Sequence, residues 1–174
     1  MDLTIKTNSD NDFRIYEGSK LWVEYNVHRR VQFMADGTGT INNDKIELKS
    51  KVRWWWMLHM GNKRIDILKN DEVVGEIVYR YFRGIHIYLQ DSNKVKHHFK
   101  LRVRGLMSTK IQLKDEQGRV IFKLKSSFKI LKLKNEIKVH LEEHSYDPEF
   151  LMWLLTCTIY CSEYIDSRES AEIN

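Results

Sequence analysis

Proline occurs once, at Pro148, and glycine only eight times in 174 residues. Such scarcity leaves no flexible linker between two folded units, so the expectation is one domain, long enough to bury a real core. Cysteine is almost as rare. Cys157 and Cys161 are the only two, four apart in one expected helix, which is not a disulfide framework. Met1 to Lys20 holds no apolar run behind a basic start, so neither a signal peptide nor an oxidising compartment is expected. The expected location is the cytoplasm, with peripheral association at the membrane as the variant that a basic surface allows. The longest apolar stretch, Phe150 to Cys161, falls well short of the ~20 residues of a membrane span.

What is present is charge and alternation. Apolar residues make up 42% of the chain, too many for disorder. The formal net charge is +5, with the tail from Glu163 carrying −3 and residues 1–162 about +8. A surface of that sign favours anionic partners, lipid headgroups and nucleic acid among them.

From Leu3 to His144 the dominant period is two, which marks half-buried strands. Ile65 and Ile67 alternate with Arg64, Asp66 and Lys69. Lys69-Asn70-Asp71-Glu72 then turns the chain, and Val73 to Tyr81 runs out as a second strand. Asn and Asp serve such turns because they tolerate left-handed backbone angles. The grammar returns at Ile85–Gln90 and Val95–Val103 around Asp91-Ser92-Asn93. It returns again at Ile111–Lys114 and Val120–Leu124 around Asp115–Gly118. Phe13–Tyr16, Leu21–Tyr25, Val31–Met34, Ile41–Leu48, Val52–Leu58, Phe128–Leu133 and Ile137–Leu141 read as further strands. So many short strands must curl into a sandwich or close as a barrel.

The ending breaks this pattern. Asp147 can cap a helix, Pro148 fits its first turn, and Glu149 complements the helix dipole. Phe150 to Cys161 then has no charge and no polar side, so it must be buried all round. The fold class expected is therefore mainly β: a closed antiparallel barrel of about twelve strands enclosing one hydrophobic C-terminal helix. The domain spans 1–166, with the helix at about 147–165 and a polar acidic tail at 167–174.

Three features carry a family resemblance. The hairpin Ile111-Gln-Leu-Lys-Asp-Glu-Gln-Gly-Arg-Val-Ile-Phe-Lys-Leu and the segment Ile65-Asp-Ile-Leu-Lys-Asn-Asp-Glu-Val-Val-Gly-Glu-Ile are two. The ending Ile137-Lys-Val-His-Leu, Asp147-Pro148 and the apolar run from Phe150 is the third. Together they resemble the tubby C-terminal-like superfamily, which includes LURP-one-related proteins, phospholipid scramblases and small bacterial relatives. The run Val52-Arg53-Trp54-Trp55-Trp56-Met57 departs from it by its load of aromatics. The resemblance implies a barrel with a central helix, membrane-lipid association in some members, and no settled activity for the bacterial ones.

No catalytic constellation stands out. His140-Leu141-Glu142-Glu143-His144 matches the H-x-x-E-H pattern, but Ile137, Val139 and Leu141 alternate as a strand, and the zinc chemistry needs a helix. Adjacent His97 and His98 point to opposite faces of a strand and cannot share a metal. Cys157 and Cys161 read as small core hydrophobes. Asp36-Gly37-Thr38-Gly39-Thr40 reads as a turn with no helix behind it to hold a phosphate. Neither a metal nor a cofactor is expected. Trp54, Trp55 and Trp56 send rings to both faces of a strand. Core packing is the expectation for them, and an exposed face would suit a partner or lipid.

The one candidate binding set is Lys100, Arg102 and Arg104. These alternate with Phe99, Leu101 and Val103, and so form a cationic stripe on an outward face. Lys123, Lys125, Lys129, Lys132 and Lys134 add charge nearby in sequence. The expected function is a non-enzymatic binding or scaffold protein that meets an anionic phospholipid surface or a protein partner. A lipocalin-like small-molecule carrier or enzyme is one alternative, and single-stranded nucleic-acid binding a less favoured other.

Overall fold

The structure, a computed structural model, describes residues 2–7, 12–31, 34–51, 62–80, 84–104, 108–127, 137–141 and 146–171. In chain order the strands are β1 (Asp2–Thr7), β2 (Phe13–Glu17), β3 (Lys20–Val31), β4 (Met34–Ile41), β5 (Asp44–Ser50) and β6 (Asn62–Lys69). They continue as β7 (Glu72–Arg80), β8 (Gly84–Gln90), β9 (Lys96–Arg104), β10 (Ser108–Lys114), β11 (Val120–Ser127) and β12 (Ile137–Leu141). A helix, α1 (Pro148–Ala171), follows. The molecule is thus mainly β, an antiparallel sheet with a C-terminal helix.

Consecutive strands pair as hairpins from β2 to β11, and β1 pairs with both β2 and β12. Four register pairs join β1 to β12, from Asp2 opposite His140 to Ile5 opposite Ile137. The join of β12 to β11 is shorter, made by Phe122 opposite Leu141 and Lys123 opposite His140. The tight turns follow from their residues. Asn42, Asn43, Asn70 and Asp71 all have positive φ, which two-residue hairpins require and these side chains tolerate. Asp91 and Asp115 use a second device. Each carboxylate accepts the backbone N–H four residues on, at 2.9 Å from Val95 and 2.8 Å from Arg119.

Every strand sends apolar side chains to one core that also holds α1. Leu3, Ile15, Val23, Ile46, Ile67, Ile77, Leu89, Phe99, Leu113, Phe122 and Val139 are among them, and Phe150 through Cys161 are all buried. Because this stretch of helix is apolar on every side, burial of all twelve residues is what its composition requires. Asp147 caps the helix, its Oδ2 accepting from the N–H of Glu149 at 2.9 Å and of Phe150 at 3.3 Å. Inside, the Thr156 and Thr158 hydroxyls donate to the carbonyls of Met152 and Leu154 at 2.8 Å, so neither polar group is stranded.

Four readings of the sequence need correction. Asp36 to Thr40 is not a turn but part of β4. Its glycines give way to β3: a Cβ on Gly37 would lie 2.2 Å from the Tyr25 hydroxyl, and one on Gly39 2.2 Å from the Glu24 carbonyl oxygen. The space holds the Tyr25 ring, stacked on Phe13 at 5.1 Å and edge-on to Tyr160 of α1 at 6.4 Å. Ile41 to Leu48 is not one strand, because the Asn42-Asn43 turn splits it between β4 and β5. Val31 to Met34 is not a strand of its own, since β3 ends at Val31 and β4 begins at Met34. The helix also runs past residue 165 to Ala171, taking in residues expected in the tail. The expected strands at Val52–Leu58 and Phe128–Leu133, and the Trp54-Trp55-Trp56 run, lie outside the described residues.

Candidate functional site: a basic outer face

Strand alternation sorts β9 cleanly. Phe99 and Leu101 are buried in the core, while Lys100 is half-buried and Arg102 exposed on the opposite side. Arg104 ends the strand opposite Lys110 and is placed by its backbone alone. Register extends the stripe sideways. Lys100 lies opposite His86 of β8 and Lys114 of β10, and Arg102 lies opposite Gln112, which in turn faces Lys123 of β11.

The five strands β8 to β12 are neighbours in the sheet, and none contains an aspartate or a glutamate. They carry Lys96, Lys100, Arg102, Arg104, Lys110, Lys114, Lys123, Lys125 and Lys138. Strands β2 to β7 are different, because there cations meet carboxylates. Arg14 pairs with Glu24 at 2.6 Å, Lys51 with Asp66 at 2.7 Å and Arg64 with Glu76 at 3.4 Å. Glu47, buried on that side, sits between Lys45 and Lys49, whose hydrogen bonds hold its carboxyl below the usual range. Hydrogen bonds from Lys69 and Asn70 do the same for Asp44.

Three cations of the β8 to β12 face differ from these. Among the described residues Lys100, Arg102 and Lys114 make no ion pair. Lys100 and Lys114 face each other directly, an arrangement that repels unless an anion intervenes.

The histidines divide as strand geometry requires. His97 turns toward the start of α1, with its ring 5.3 Å from Phe150 and its Nε2 3.0 Å from Asp91, whose carboxyl it holds low. His98 is on the basic side. There its Nε2 lies 2.8 Å from Nδ1 of His86, and its ring stacks at 4.7 Å on Tyr88, over which Lys96 sits. Sequence reading missed His86, because nothing local marks it. Only the register of β8 on β9 brings it to His98.

Other candidates fall away from this face. Both cysteines are buried in α1, and burial pushes the Cys161 thiol up to about 12 and that of Cys157 well above its ordinary value. His140 lies in β12, a strand, while Glu142, Glu143 and His144 lie outside the described residues. Among the described residues no group of three or more His, Cys, Asp or Glu could hold a metal ion. Nor is any helix there long and apolar enough to cross a membrane.

Compared with family models, curated proteins and solved structures, the chain matches none.

Proposed function

We propose that this chain is a non-enzymatic binding protein that docks on an anionic phospholipid surface through the outer face of β8 to β12. In this reading the sheet is a closed barrel around α1, and the barrel exterior is the functional element. The observation that carries it is the run of five neighbouring strands with nine lysines and arginines and no acid. At roughly 4.8 Å per strand the field is about 20 Å wide, which suits a broad charged surface better than one small anion. The pairing of β1 with both β2 and β12, and the burial of every residue from Phe150 to Cys161, support closure. The same filling of the interior speaks against a small-molecule carrier. The family resemblance accords with a lipid partner.

Each basic residue close to an anionic membrane contributes about 1 kcal/mol. Reversing two charges with Lys100→Glu and Arg102→Glu together is therefore expected to weaken binding about thirtyfold or more. Co-sedimentation with phosphatidylserine-containing vesicles reads this directly, with pure phosphatidylcholine as the neutral control. Binding should be strong at low salt and fall as salt rises. Absence of binding to the anionic vesicles at low salt, or equal binding by the double variant, would refute the proposal.

A further inference from the structure

We infer that His86 and His98 make this docking proton-linked. The β8 to β12 face then grips an anionic surface more tightly as pH falls from about 7.5 to 5.5. The inference rests on the lipid reading and names how that same face is regulated. It starts from the bond between the two rings. His98 Nε2 lies 2.8 Å from His86 Nδ1 and the rings stand within 11° of parallel, so one nitrogen donates to the other.

Proton counting fixes what the pair can take up. Each neutral imidazole holds one N–H. One of the two protons occupies the bridge, and the other sits on the outer nitrogen of the accepting ring. The outer nitrogen of the donating ring holds none. A proton added there makes the donor an imidazolium and keeps the bridge, now as a charge-assisted hydrogen bond. A further proton finds no nitrogen unless the bridge breaks. The pair therefore gains one positive charge without rearranging, whichever ring donates. Imidazole is the side chain whose charge ordinarily changes between pH 5 and 8, which sets the range to search.

The groups around the pair couple that charge to the surface it meets. On β9, Lys100 lies opposite His86, and Lys96 stands over the Tyr88 ring that stacks on His98. On β10, Lys114 faces Lys100 in turn. On β7, Val78 lies opposite His86 and Glu76 opposite Tyr88, but Glu76 is engaged by Arg64 at 3.4 Å. Cations set so close on one face repel one another, and anionic headgroups over them offset the repulsion. Docking and proton uptake thus favour each other, and by linkage each strengthens the other equally.

Co-sedimentation of the full chain with phosphatidylglycerol vesicles at pH 7.5 and 5.5 tests this, because that lipid keeps its charge over the range. One added charge near an anionic membrane is worth about fivefold in affinity. The chain has seven histidines, so the comparison is with a variant combining His86→Gln and His98→Gln. Between the two pH values the unaltered protein should tighten about fivefold more than this variant. Calorimetry near pH 6.5 in two buffers of different ionisation enthalpy should show net proton uptake on binding, reduced in the variant. Thermal melts establish that the variant folds. If it does not, His98→Phe takes its place, keeping a ring on Tyr88 while removing the bridge. Equal tightening of both proteins would overturn the inference and leave the lipid reading standing. No binding by either protein at either pH would refute the lipid reading, and the inference with it.

Discussion

Leu154→Asp is expected to leave no folded protein. Leu154 is fully buried in the middle of the apolar part of α1, and its neighbours from Phe150 to Cys161 are buried too. Losing a buried leucine costs about 2–5 kcal/mol through lost transfer and the cavity left behind. An unpaired carboxylate in its place adds several kcal/mol more, because nothing apolar around it can replace its water. The total stability of a domain is only about 5–15 kcal/mol. Leu154→Met separates charge from shape, and should cost under ~1.5 kcal/mol. Circular dichroism and soluble yield of the two variants check the pair. A Leu154→Asp protein that melts cooperatively near the wild type would mean that α1 is not the core.

Gly39→Ala has the second-largest expected effect. The added methyl would stand 2.2 Å from the Glu24 carbonyl oxygen and 2.8 Å from the Tyr25 Cα. Both obstacles are backbone, and β3 is fixed to β4 by register pairs from Val23–Ile41 to Val31–Met34. No side chain can swing aside, so the ladder itself must open. Overpacking of this kind costs about 1–3 kcal/mol, and more where the neighbour is rigid. For a chain of this size that corresponds to a fall in Tm of about 2–12 °C. Thr40→Ala, one residue away and exposed, should shift it little. Equal melting of Gly39→Ala and the wild type would contradict the close approach of the two strands.

The same pair of glycines shows what the sequence does and does not disclose. Alternation of Ile65, Ile67 and Ile77, or of Phe99 and Leu101, is a local signal, and the structure places these side chains in the core. The helix was equally legible, since Asp147-Pro148 caps it and no charge interrupts it before Glu163. Gly37 and Gly39 misled because they look like turn residues. Their cause lies on the neighbouring strand, the Tyr25 ring for Gly37 and the backbone of Glu24 and Tyr25 for Gly39, a tertiary fact. Asn42-Asn43 was missed for the opposite reason. It is a turn signal hidden inside an apolar stretch, with Ile41 and Ile46 on either side.

The candidate site was legible in part. Lys100 and Arg102 could be placed on an outward face from Phe99 and Leu101 alone. The lack of acids across β8 to β12 is present in the sequence too, but it means nothing until register shows that those strands are neighbours. His86 and His98 are twelve residues apart, and only the pairing of Tyr88 with His98 joins them. Contacts across a sheet are set by register, which single-strand periodicity does not encode.

Thiol labelling of the unaltered protein tests the enclosure of α1 most directly. Cys157 and Cys161 are fully buried one turn apart, with their thiols held protonated by that burial. A maleimide or disulfide reagent should label neither under native conditions and both after denaturation. Rapid labelling of both in the folded protein would show a helix lying open to solvent, and the account of the core would fail.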